Sequence, residues 1–231
     1  MKFSIIIPML NEAQQIEQLL KSLQSYRAQG HEIIVVDGGS CDESIAKAKG
    51  WVDGLLEVED PVRDRGRAVQ MNRGAEMATG DVLLFLHCDT FLPSQALLSL
   101  EKLFVTRQAA AWGRFDIELS GRRKIFRIIE SAINCRSRWS GIATGDQAIF
   151  VRANTFAAIG GYKRVPLMED VDLCKRLKRL AGSPINSRLK VSTSSRRWEA
   201  NGVYKTILLM WCLRFAFFVG VNPSRIAAFY R

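Results

Sequence analysis

Apolar and polar positions follow two periods along this chain, and the switches between them lay out most of its elements. Phe3 to Ile7 is a continuous apolar run, and Ile16, Leu19, Leu20 and Leu23 then recur at helical spacing. A buried strand therefore passes into an amphipathic helix through Pro8-Met9-Leu10-Asn11, with Asn11 as the expected N-cap. Ile33 to Val36 repeats the pattern: a β-branched strand, then Asp37-Gly38-Gly39, then Ser40 and Glu43 at capping-box spacing before a second helix. A weaker strand at Leu55 to Val58 precedes a helix from about Arg65 to Ala78, and Val82 to Leu86 is a buried strand ending at His87-Cys88-Asp89. Alternation of this kind predicts an α/β fold with a mostly parallel central sheet and helices on both faces.

The second half is less regular. Ala110 to Leu119, Ala148 to Val151 and Leu189 to Thr193 read as strands, Lys124 to Trp139 as a basic helix, and Glu169 to Ala181 as a helix after the Gly160-Gly161 and Pro166 loop. Val203 to Val221 is strongly apolar, but Lys205 and Arg214 leave stretches too short to span a bilayer, so a C-terminal helix either packs in the core or lies on a membrane surface. No repeat or linker divides the chain, and one domain of 231 residues is expected.

Charge and cysteine usage narrow the setting. A net charge of +10 attracts anions, whether nucleotide phosphates, nucleic acid or an acidic membrane face. The basic clusters, Arg63 to Arg73, Arg122 to Arg127 and Lys175 to Arg179, lack interleaved aromatics, so no nucleic-acid partner is expected. Five scattered cysteines without a C-x-x-C pair, and an N-terminus cut short by Pro8, predict a reduced cytoplasmic protein, peripheral on the membrane face at most.

In open parallel sheets the ligand crevice lies beyond the carboxyl ends of the strands. Asn11, Asp37 and Asp89 each follow a strand, so three polar groups arrive at one rim. Asp89 suits a divalent cation that neutralises a leaving diphosphate, with His87 as a second ligand; the alternative is a cap for a helix beginning near Pro93. Glu169 and Asp170 at a helix start are either dipole partners or a general base with its neighbour. Arg67 or Arg65, before the Asp89 strand, can reach phosphates. Arg197-Trp198 supplies a cation and a stacking ring, or buries the indole.

The motifs SIIIPMLNE, EIIVVDGGSCDES, GRAVQMNRGAEMATGDVLLFLHCD, TGDQAIFVR, GGY, MEDVDLCKRL and SRRW, from Phe3 to about Trp198, resemble those of a family 2 inverting glycosyltransferase of the GT-A fold, in particular a short bacterial subgroup. The resemblance implies a Rossmann-like fold and transfer of a sugar from a nucleoside-diphosphate donor to an acceptor hydroxyl, which the motifs leave open, a lipid acceptor included. It places Pro8, Asn11, Glu12 and Asp37 at the nucleotide, Asp89 in a strand-end D-x-D motif on Mg2+ or Mn2+, Gly145-Asp146 near donor sugar and acceptor, and Asp170 as base. It divides the chain into a donor half (1–90), an acceptor half (91–200) and a helical segment (201–231). His87 replaces the first aspartate of D-x-D, and Ser194 the glutamine of Q-x-x-R-W, which argues against a processive synthase. A sugar nucleotidyltransferase, which needs a glycine-rich loop after the first strand, and a basic membrane- or nucleic-acid-associated module are the rival readings.

Overall fold

The computed structural model describes residues 1–58, 60 and 66–229. These form an eight-stranded sheet, in which β1 (Phe3–Met9) is an interior strand buried along its whole length. Parallel neighbours flank it, β2 (Glu32–Asp37) on one side and β4 (Val82–Phe85) on the other, and β3 (Gly54–Glu57) extends the sheet beyond β2. Beyond β4 the direction reverses: β7 (Phe150–Arg152) runs antiparallel to both β4 and β6 (Trp112–Leu119). The long β8 (Ile185–Thr193) then runs parallel to β6, and short β5 (Thr90–Phe91) pairs antiparallel with its end. The mostly parallel sheet expected from the sequence is present.

Pleating explains why helices cover both faces. Phe3, Ile5, Ile7 and Met9 point to one side, where they meet α1 (Ile16–Ala28) and α4 (Ala96–Thr106) through Leu19, Leu20, Leu23, Leu97 and Leu100. Ile6 points to the other, against Ala68 and Met71 of α3 (Arg67–Met77) and beside Leu173 and Leu177 of α7 (Glu169–Ala181). Each fully buried branched side chain contributes about 1.5–3 kcal/mol. Strand β1 therefore ties both layers to one register.

Several boundaries differ from the sequence reading. Helix α1 starts at Ile16 with Gln15 at its N-cap, so Asn11 does not cap it. Helix α2 (Ser44–Ala48) starts after Glu43, and Ser40 bonds to Asp37 instead of closing a capping box. Both residues are drawn into the loops between strand and helix, where a buried carboxylate outcompetes a helix end for donors. Strand β1 also runs on through Pro8, which is tolerated because β4 pairs with β1 only as far as Ile6, leaving that edge free at Pro8. Arg63 and Arg65 lie outside the described residues.

The free edge of β6 is closed by side chains of the basic helix, α5 (Lys124–Ser140). Asn134 accepts from the Ile117 N–H (2.9 Å) and donates to the Ile117 carbonyl (3.0 Å), mimicking a strand partner. Glu130 accepts from the Leu119 N–H and Arg127 donates to the Leu119 carbonyl. Beneath them Asp116 is held by Arg114 and Arg138. The apolar C-terminal run forms α9 (Val203–Phe218), whose inner face packs Leu213 on Met168 and Val171. Among the described residues no helix is long and apolar enough to cross a membrane.

Candidate active site at the strand ends

The carboxyl ends of β1, β2 and β4 are fastened to one another before any ligand arrives. Gln70 of α3, buried, donates its Nε2 to the Met9 carbonyl (2.7 Å) and the Val36 carbonyl (2.8 Å), and Gly38 packs so close to that amide that a Cβ would fall 2.8 Å from Nε2. The Cys88 thiol donates to the Pro8 carbonyl, drawing the Asp89 loop onto β1. Asp37 is fully buried, with Oδ2 accepting from the Gly39 and Ser40 N–H groups and Oδ1 from the Ser40 hydroxyl. That hydroxyl accepts in turn from the Asn11 N–H, while Asn11 Oδ1 accepts from the Cys41 N–H (2.9 Å). Exposed Asn11, Asp37 and Ser40 thus form one preorganised lattice beside half-buried Glu12.

Asp89 lies between this lattice and β8, because its own carbonyl accepts from the Ser194 N–H and Thr90 pairs with Thr193. It does not cap α4, which starts at Ala96 after Gln95. Burial and the nearby Asp146 raise its carboxyl above the usual range, against the Thr90 hydroxyl, Arg196 and Arg67. Glu12 is raised by burial and Asp89, again opposed by Arg196 and Arg67. Arg196 and Arg67 therefore do not cancel the combined effect of burial and neighbouring carboxylates at this rim.

Asp146 reaches the rim on a single 3-10 turn (Gly145–Gln147) closed by a capping box between Thr144 and Gln147. Its Oδ1 is buried without a hydrogen-bond partner. The His87 ring lies on Gly145, where a Cβ would meet Nε2 at 2.4 Å, so only glycine fits there. Burial and Arg67 push the His87 imidazole down to about 3, leaving it neutral at physiological pH. The Gly145 N–H donates to Asp170 Oδ2 (2.9 Å), and Asp170 Oδ1 accepts from the Val171 N–H at the start of α7 (2.7 Å). Asp170 is raised by burial against these two bonds, with Asp146 adding to the rise and Arg214 opposing it. Glu169 is raised by burial and by Asp170, with Arg67 opposing.

Two further observations bear on the site. The non-glycine residues with left-handed backbone among those described are Asn11 (φ 54°), Ala148 (φ 45°) and Met168 (φ 67°), next to Glu12, the Asp146 turn and Glu169 respectively. Strain of this kind concentrates where function fixes a loop. At SRRW, it is exposed Arg196, at the start of α8 (Arg196–Asn201), whose charge acts on Glu12 and Asp89. Trp198 packs against the cluster of Leu119, Phe126, Ile129 and Val203. The sequence reading missed Arg196; its place in the first turn after β8 was the available signal.

Residues 4–163 match the model of Glycosyl transferase family 2. The chain belongs to glycosyl transferase family 2. Among relatives, a PGL/p-HBAD biosynthesis glycosyltransferase of Mycobacterium bovis (strain BCG / Pasteur 1173P2) is 32% identical over 186 residues, covering 74% of this chain and 67% of that protein. The crystal structure of S. aureus TarS 1-349 in complex with UDP-GlcNAc matches with a TM-score of 0.66 at 17% identity, over 84% of this chain and 58% of that one. The mannosyltransferase PcManGT from Pyrobaculum calidifontis, in complex with GDP-Man and Mn2+, gives 0.66 at 18% identity, over 93% and 60%. This glycosyltransferase thus spans about three fifths of either solved chain, and shares with them the GT-A fold. The nucleotidyltransferase and binding-module readings give way to the family.

Proposed function

We propose that this glycosyltransferase moves a sugar from a nucleoside-diphosphate donor to an acceptor hydroxyl with inversion, on the cytoplasmic side of the membrane. The observation that carries the reading is the convergence of Glu12, Asp89, Asp146, Glu169 and Asp170 on one rim, with the raised carboxyls of Glu12, Asp89, Glu169 and Asp170 and the orphaned oxygen of Asp146. Donor binding falls to residues 1–90, with the nucleoside beside Pro8, Asn11, Glu12 and Asp37 and the phosphates facing Arg67 and Arg196. Residues 91–200 receive the acceptor, with Gly145 and Asp146 between the two substrates.

Among the described residues no three histidine, cysteine or carboxylate groups cluster as a complete metal cage. The rim nevertheless fits a magnesium or manganese ion that takes most of its oxygens from water and phosphates, because Asp89 and the unpartnered Asp146 oxygen stand near each other. Such an ion would supply Lewis-acid neutralisation of the leaving diphosphate. His87 has its Nε2 edge on Gly145, and we assign it to shaping the Asp146 turn.

Asp170 is the base of this reading. Its Oδ2 is aimed by the Gly145 N–H toward the turn that carries Asp146, and burial raises its pKa, which makes the carboxylate a stronger proton acceptor. Burial and Asp146 hold that pKa up, while the bonds from Gly145 and Val171 favour the carboxylate. The decisive test compares Asp89→Ala with Asp170→Asn by calorimetric donor binding and by transfer rate. Asp89→Ala should lose metal-dependent donor affinity, and Asp170→Asn should bind donor and lose turnover by about a hundredfold or more. Equal donor affinity with and without metal removes the first assignment, and full turnover by Asp170→Asn removes the second.

A further inference from the structure

Helix α9 is apolar on both sides, yet the fold covers only one. Val203, Thr206 and Leu213 are buried, while Tyr204, Leu208, Trp211, Phe215 and Phe218 are 67–81% exposed. At about 100° per residue, these five positions form a single stripe opposite the buried face. A helix apolar all round is normally enclosed. Lys205 and Arg214 fall on opposite flanks of the stripe by the same geometry, and residues 200–231 contain Lys205, Arg214, Arg225 and Arg231 but no aspartate or glutamate.

We infer that the exposed stripe of α9 docks on an anionic lipid bilayer and so presents the Asp170 side of the site to an acceptor carried by a lipid. The charge pattern selects this occupant. A second copy of the chain would bring the same helix, with no acid to meet Lys205 and Arg214, whereas phosphate headgroups meet both while the ring stripe enters the acyl boundary. Tyr204 and Trp211 suit that boundary, having apolar rings with one polar atom each. The connection to the site is direct. The opposite face of α9 packs on Met168 and Val171, which bracket Glu169-Asp170, and the Arg214 charge acts on Asp170. The acceptor part of this inference rests on the glycosyl-transfer reading; the docking part does not.

The test is sedimentation of the full chain, without donor, on phosphatidylcholine vesicles made with and without phosphatidylglycerol. Binding to the anionic vesicles is expected to be about tenfold or more tighter, weakening with salt. The double variant Trp211→Glu/Phe215→Glu should lose it while retaining donor binding, which reports an intact fold. Trp211→Phe should keep the binding but remove most quenching of tryptophan emission by brominated lipid. No preference of the native chain for anionic vesicles, or unchanged binding by the double variant, overturns the assignment. So does a native dimer that the double variant dissolves without any vesicle binding, which would give the face to a second copy. Failure of Asp170→Asn to abolish transfer, with vesicle binding intact, would count against the transfer reading alone.

Discussion

The Gln70 clamp makes a quantitative prediction, because one buried side chain bonds to the ends of two strands at once. In Gln70→Met the volume is nearly kept and the two N–H donors to Met9 and Val36 are lost. The Met9 carbonyl still accepts from the Gly38 N–H, so the loss centres on the Val36 carbonyl, in a place where Gln70 is only 4% exposed. Two net hydrogen bonds and one weakened buried acceptor amount to about 2–3 kcal/mol. For a chain of this size that lowers Tm by about 5–10 °C. The functional effect should fall on the donor: the lattice of Asn11, Asp37 and Ser40 hangs from the same strand ends, so Kd for the nucleoside diphosphate should rise more than kcat falls. Thermal unfolding and calorimetric titration on the same preparation read both. A variant that melts within about 2 °C of the native chain and binds donor equally would show that β1 and β2 hold their register without the clamp.

Gly145→Ala places a methyl 2.4 Å from His87 Nε2, so either the ring or the turn carrying the Asp170 donor must move; kcat should fall by about ten- to a hundredfold, and an unchanged kcat would sever that contact from catalysis. Glu169→Gln addresses the carboxyl raised by burial and by Asp170 from its ordinary value of 4.5. Since its folded pKa is above the unfolded one, the contribution to stability is full below about pH 4 and is lost as pH rises through the folded value. The variant should therefore melt higher than the native chain near pH 8, by on the order of 1 kcal/mol, with the gain vanishing below about pH 4. A gain independent of pH would contradict the burial argument.

What the sequence displayed and what it hid follow from where each signal lives. The strands of the first half were legible because they are buried on both faces and read as unbroken apolar runs. The rim was legible because Asn11, Asp37 and Asp89 stand where those runs stop. The roles of Asn11 and Ser40 were not, since both residue types cap helices when nothing better is near, and here the buried Asp37 is nearer. Glu130 and Asn134 looked like the polar face of a solvated basic helix; their work on the open edge of β6 depends on a neighbour more than ten residues away in sequence. Gln70 and Asn72 stood near the expected phosphate site, yet both turn inward. Gln70 clamps β1 to β2, while Asn72 exchanges two hydrogen bonds with the backbone of Tyr162.

The electrostatic layout of the rim connects these pieces. Arg67 and Arg196 act on Glu12 and Asp89, at the end proposed for the donor, while Arg136 and Arg214 act near Asp146 and Asp170, at the end proposed for the acceptor. Even with these four cations the carboxyls of Glu12, Asp89 and Asp170 stay raised. For Asp89 and Asp170 burial is the largest cause, and Asp146 adds to both. On the proposed reading, a diphosphate entering such a rim would add negative charge where protons are already favoured, and a cation bound with it would offset that charge. Protons and that cation compete for the same oxygens. A chain with a net charge of +10 thus keeps an acidic strip at its strand ends, and on the proposed reading donor and cation would have to enter that strip together.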